Sequence, residues 1–188
     1  SLIESNKYFV INRPRQYGKT TILAGVRKKL SDKYLVISIS FEGADTESFF
    51  NTKNFCNLFI DLISDSLEYV DEEINKKFLE ISDNIDSLIK LSRAITKFIK
   101  SINKEVILII DEVDKSSDNQ VFLNFLGMLR SKYLQREEGY GITFKSVILA
   151  GVYDIKNLKL KLRLDEEKKY NSPWNIAVPF NIDKIGRA

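Results

Sequence analysis

Histidine is absent from this 188-residue chain, and cysteine occurs once, at Cys56. Without imidazole there is no Ser-His-Asp or Cys-His nucleophile, no histidine general base and no histidine-ligated zinc or non-haem iron. A lone cysteine excludes an intrachain disulfide framework and a cysteine-rich metal cluster. Long hydrophobic runs are also missing. Val106 to Ile110 is among the longest, far short of the roughly 18 to 20 apolar residues that cross a bilayer, and the N-terminus carries no signal-like pattern. The expectation is a soluble, cytoplasmic protein with no membrane partner. Carboxylates, lysines, hydroxyls and backbone amides remain for chemistry. Phosphoryl transfer is the large reaction class that asks for little else, because its catalysis is mostly positioning and charge stabilisation around a metal ion.

The length suits one domain spanning residues 1–188. Twenty-nine Lys and Arg stand against 26 Asp and Glu, a net charge of +3. That balance does not mark a nucleic-acid binder, whose signature is a clustered basic face rather than a total.

Tyr8 to Asn12 is a short apolar run halted at Arg13-Pro14, the pattern of a buried strand feeding a loop. Lys19 to Leu30 follows with Ile22, Leu23, Val26 and Leu30 at helical spacing. Tyr34 to Phe41 is β-branched and aromatic, and reads as a second strand. Between Gly43 and Lys104 at least two helices are expected, about Phe55 to Val70 and Ile85 to Ile102, with no strand. The acid-rich stretch Asp65 to Asp86 reads as a solvated helical face. Glu105 to Asp111 is a continuous apolar run ending in acid, as central parallel strands are. A helix over Asn119 to Tyr133, a polar loop over Arg136 to Gly141 and a strand over Ser146 to Val152 come next, and Ile176 to Phe180 fits an edge strand because of Pro179. Alternating strands and helices imply an α/β fold, an open parallel sheet covered on both faces.

The first strand-loop-helix carries R-P-R-Q-Y-G-K-T-T, Arg13 to Thr21. A phosphate-binding loop needs inward backbone amides, a helix N-terminus behind them, a lysine for the outer phosphates and a hydroxyl for Mg²⁺. Gly18, Lys19 and Thr20 supply the last parts in order, and Arg15, Gln16, Tyr17 and Thr21 complete the cradle. The usual first glycine of G-x-x-x-x-G-K-S/T is Arg13 here, so the loop must enter with different backbone angles, with Pro14 beside it. A chance tripeptide at a helix start is the ordinary alternative. Placement after a predicted strand and at the head of a predicted helix favours the phosphate loop.

Ile107 to Glu112 delivers two consecutive acids at a strand end. Asp111 is placed to hold Mg²⁺ and Glu112 to act as base on an attacking water. Two acids at a helix N-cap would be the ordinary reading of the same pair. The strand over Tyr34 to Phe41 falls between loop and acids in sequence; were it outermost in the sheet, another strand would separate the two. Glu directly after Asp favours hydrolysis over transfer to a small molecule.

The blocks F-V-I-N-R-P-R-Q-Y-G-K-T-T, V-I-S-I-S-F-E-G, V-I-L-I-I-D-E-V-D-K, V-I-L-A-G-V-Y-D-I-K-N-L and S-P-W-N-I-A together resemble the AAA-ATPase-like proteins of bacteria and archaea, relatives of the AAA+ and STAND ATPases that often carry a PD-(D/E)XK nuclease-like domain. The resemblance implies a three-layer α/β/α P-loop domain with five parallel strands in order 5-1-4-3-2. It implies ATP and Mg²⁺ as cofactors, Lys19 and Thr20 as the β/γ-phosphate and Mg²⁺ residues, and Asp111 with Glu112 as the Walker B pair. A sensor at Tyr153 or Asp154 is unassigned by it, and Arg130, Arg136 and Arg163 are undistinguished arginine-finger candidates. The chain reads as a fragment without the C-terminal lid or a nuclease-like domain. Three functions follow as expectations: an ATPase coupled to a protein partner or to self-association, a nucleotide switch with little turnover, and a nucleic-acid-associated component. The last rests on Lys156 to Lys169, whose basic excess equals the net charge of the chain; a solvated loop is its ordinary reading.

Overall fold

Four runs rich in Ile, Val and Leu become parallel strands in the computed structural model, which describes residues 3–12, 19–113, 119–151 and 178–180. In chain order they are β1 (Phe9–Asn12), β2 (Leu35–Ser40), β3 (Val106–Asp111) and β4 (Ser146–Gly151), with a short β5 (Val178–Phe180). The sheet order is β2-β3-β4-β1-β5, and every pairing is parallel. Pro179, which has no N–H to give a ladder, lies in the outermost strand. Parallel alignment brings all carboxyl ends to one edge: Ser40 pairs with Asp111, and Asn12 with Gly151.

Strand side chains alternate between two faces, and here both faces are apolar. Val10, Ile37, Leu108, Ile110 and Leu149 enter one core, while Ile11, Val36, Ile107, Ile109 and Ile148 enter the other. The second core is covered by α1 (Lys19–Ser31) through Leu23. The first is covered by α2 (Thr52–Glu68), α3 (Glu72–Ile81), α4 (Leu88–Ser101) and α5 (Gln120–Glu137). Helices therefore flank the sheet on both sides. Each β3 isoleucine is fully buried, a contribution of about 1.5–3 kcal/mol apiece.

Local chemistry explains the helix boundaries. Asn51, Asp71, Ser87 and Asn119 each cap a helix by accepting backbone N–H bonds. The Asp71 cap starts α3 inside the acid-rich stretch. Its outer side carries Glu72 and Glu73, while Phe78 is buried and meets Phe98 at 5.1 Å. Acids here form the wet face of an amphipathic helix, in keeping with the solvated helical face read from that stretch.

One boundary corrects the sequence reading. The 136–141 segment does not begin as a loop, since α5 continues to Glu137. Arg136 sits in the last helical turn and binds chain segments remote in sequence.

Under the carboxyl edge lies an aromatic wedge. Phe41, just after β2, packs against Phe49, Phe55 and Phe122, and Phe55 packs against Phe125. This ties the end of β2 to the starts of α2 and α5. The edge is thereby stiffened where the acid-bearing strand finishes.

Candidate functional site at the carboxyl edge

In open parallel sheets, ligands bind outside the carboxyl ends of the strands, where side chains and helix N-termini converge. Lys19 and Thr20 are the first two residues of α1. Thr21, next in that turn, is exposed. The first turn holds no acid and the last turn holds Lys28 and Lys29, so the partial positive charge at the α1 N-terminus is not cancelled from within the helix. Arg15, Gln16, Tyr17 and Gly18 lie outside the described residues, as do Arg13, Tyr153, Asp154, Arg163 and the basic stretch Lys156 to Lys169.

Asp111 closes β3 and is half-buried. Its main-chain oxygen accepts the Phe41 N–H at 3.3 Å, which fixes the end of β3 against β2. Its Oδ1 accepts the Glu112 N–H at 2.7 Å. Glu112 follows with φ of +57°, a left-handed conformation that costs a side-chain-bearing residue about 1–2 kcal/mol. Strain of this kind persists where surroundings over-determine it. The N-cap of α5 is Asn119. Asn119 also donates from Nδ2 to the Phe49 carbonyl at 2.9 Å, bracing the loop after β3 against the loop after β2. Asp111 is thus the last residue of a strand.

β4 lies between β1 and β3. The acid pair and the strand leading to α1 are therefore two strand spacings apart, about 10 Å. Ser40, directly opposite Asp111 in the ladder, is a polar neighbour that one-dimensional reading does not reveal, because cross-strand register is long-range information.

Among the described residues, no group of three or more Asp, Glu or Cys side chains is arranged to share a metal ion. Magnesium commonly takes only one or two carboxylates and completes its shell with phosphate oxygens and water. A strand-end carboxylate at Asp111 and a hydroxyl residue heading α1 fit that donor set.

The arginine-finger candidates separate on structure. Arg136 donates from its guanidinium to the Phe144 and Lys145 carbonyls at 2.5 and 3.0 Å and to the Asn6 carbonyl at 2.6 Å. The Tyr8 and Tyr133 rings lie 5.7 and 5.0 Å away. With its side chain 16% exposed, Arg136 is an internal brace at the amino edge. No local signal revealed this, since its partners come from residues 6, 144 and 145.

Among the described residues, no helix is long and apolar enough to cross a membrane. The sequence model of a family described as "AAA-like domain" matches residues 3–184. Among curated proteins there is no match. A similar solved structure is that of the Aeropyrum pernix ORC2 protein, described in ADPNP-ADP complexes, at 14% identity and a TM-score of 0.50. The likeness covers 84% of this chain and 37% of that one, and at such identity it is a likeness of fold.

Proposed function

The chain belongs to the AAA-like domain family, and on that premise we propose that residues 1–188 act as one ATP-binding domain that hydrolyses ATP with Mg²⁺ and couples nucleotide state to a partner or appended domain. The observation that carries the reading is the shared carboxyl edge: the head of α1 and the acid pair after β3 finish on the same side of one parallel sheet. The five-strand order 5-1-4-3-2 belongs to the same proposal. Backbone amides of Arg15 to Thr21 cradle the phosphates, and Lys19 offsets charge on the outer ones. Thr20 and Asp111 would hold the Mg²⁺, which would supply charge neutralisation on the phosphates. Glu112 orients and deprotonates the attacking water. The left-handed backbone of Glu112 supports this role, because such strain is concentrated at functional sites. The proposed setting is cytoplasmic.

Titration of Mg-ATP and Mg-GTP, paired with phosphate release, tests the reading. Lys19→Ala abolishes nucleotide binding, and Glu112→Gln keeps binding while stopping turnover. Unchanged hydrolysis in both variants overturns the proposal. A switch with little turnover is the second reading, favoured by Arg13 at the position usually held by glycine; tight ATP binding without phosphate release selects it.

A further inference from the structure

The amino edge of the sheet, opposite the proposed nucleotide site, carries a cleft of about 430 Å³, within the roughly 300–1,000 Å³ of ligand-sized pockets. Its apolar wall is Ile99 and Ile102 from the end of α4 and Ile142 from the α5–β4 connection. Lys104, Arg136 and Lys145 also line it, against a single acid, Glu105. Glu105 is held by Lys145 at 2.8 Å, leaving Lys104 exposed at the rim and the cleft cationic on balance.

The same molecule presents a feature of matching chemistry. Between α2 and α3 the chain reads E-Y-V-D-E-E, Glu68 to Glu73. Tyr69 is 93% exposed and Val70 53% exposed. Both stand on a braced turn, because the Val70 and Asp71 N–H groups bond the carbonyl of buried Leu67 at 2.9 and 2.8 Å. Asp71 then caps α3. Lys76 reaches Glu72 and Glu73 at 3.4 and 3.2 Å, so the turn keeps an acid surplus. A rigid aromatic knob loses little conformational freedom on docking. At its exposure Tyr69 is not seated in its own molecule's cleft.

We propose that a second copy of this chain inserts its Tyr69–Val70 turn into this cleft, apolar side chains against Ile99, Ile102 and Ile142, and acids facing Lys104. Knob and cleft are different surfaces, so the contact is head-to-tail and each copy keeps one free half. The inference does not rest on nucleotide binding, and Mg-ATP titration of the same samples keeps the failure of one apart from the failure of the other.

Sedimentation velocity from about 1 μM to about 1 mM protein is the test. Association rises with concentration and weakens with salt, since charged groups meet across a partly wet rim. Tyr69→Ser and Ile142→Asp each weaken it at least about tenfold, as loss of an aromatic anchor or its seat does. An equimolar mixture of the two variants restores 1:1 dimers and nothing larger, because each retains the half that the other lacks. Lys104→Glu, at an exposed position, provides a milder cleft variant should Ile142→Asp melt early. A chain that stays monomeric throughout, association that survives both variants, or a mixture that fails to form dimers overturns the proposal.

Discussion

Lys132 offers the sharpest test of the packing described above. It is 5% exposed on α5, and its ammonium donates to the Ser92 carbonyl at 2.9 Å, the Ser92 hydroxyl at 3.4 Å and the Thr96 hydroxyl at 2.5 Å, all on α4. These partners are neutral, so they solvate the charge without balancing it. Burial accordingly pulls the pKa down from 10.5 to about 8. The folded state then holds its proton less tightly than the unfolded chain does. Between those two pKa values the unfolded chain binds more protons, so stability rises with pH across that window. The full shift corresponds to about 3 kcal/mol, and residual solvent screening reduces the expected gain to about 2 kcal/mol. Lys132→Met keeps the stem and removes the charge. Urea melts of both proteins from pH 7 to pH 10.5 measure the difference, and subtraction removes other groups such as Cys56, whose thiol burial pushes up to about 11. Wild type gains on the variant as pH rises. Parallel pH profiles would refute the assignment of Lys132 as a desolvated, uncompensated charge.

Arg136→Met leaves the carbonyls of Asn6, Phe144 and Lys145 without their shared donor and costs about 3 kcal/mol in denaturant melts; Arg136→Lys restores less than half, because one ammonium cannot span three carbonyls in fork geometry. A Cβ at Gly141 falls 2.7 Å from the Arg136 backbone nitrogen and 2.8 Å from the Gln135 carbonyl carbon, so Gly141→Ala costs about 1–3 kcal/mol, read as a lowered melting temperature. Glu112→Gly relieves the left-handed backbone and leaves the melting temperature equal or slightly raised, while phosphate release is lost. A drop of several degrees in that variant refutes strain at Glu112.

Much of the fold is legible in one dimension. The runs read at 8–12, 34–41, 105–111 and 146–152 coincide with β1 to β4, because strands buried on both faces need continuous apolar residues. Two helices of the long crossover were legible from their 3.6-residue stripes. α3 was legible only as a solvated helical face without bounds, since its acids dominate the local composition and the Asp71 cap and buried Phe78 set its limits. The acid pair was legible as a strand end. Its ladder partner Ser40 and the left-handed Glu112 were not.

The sequence by itself excluded histidine and cysteine-cluster chemistry, and motif and periodicity marked Lys19 and Thr20 at a helix head and Asp111 and Glu112 at a strand end as candidates. Only the tertiary structure decided that Ser40 stands opposite Asp111, that Arg136 is a brace instead of a loop residue, and that a cationic cleft opens at the far edge. The physical reason is range. Periodicity and capping act over a few residues, whereas strand order, layer stacking and the partners of a buried guanidinium are contacts between segments that the chain brings together from more than 100 positions apart.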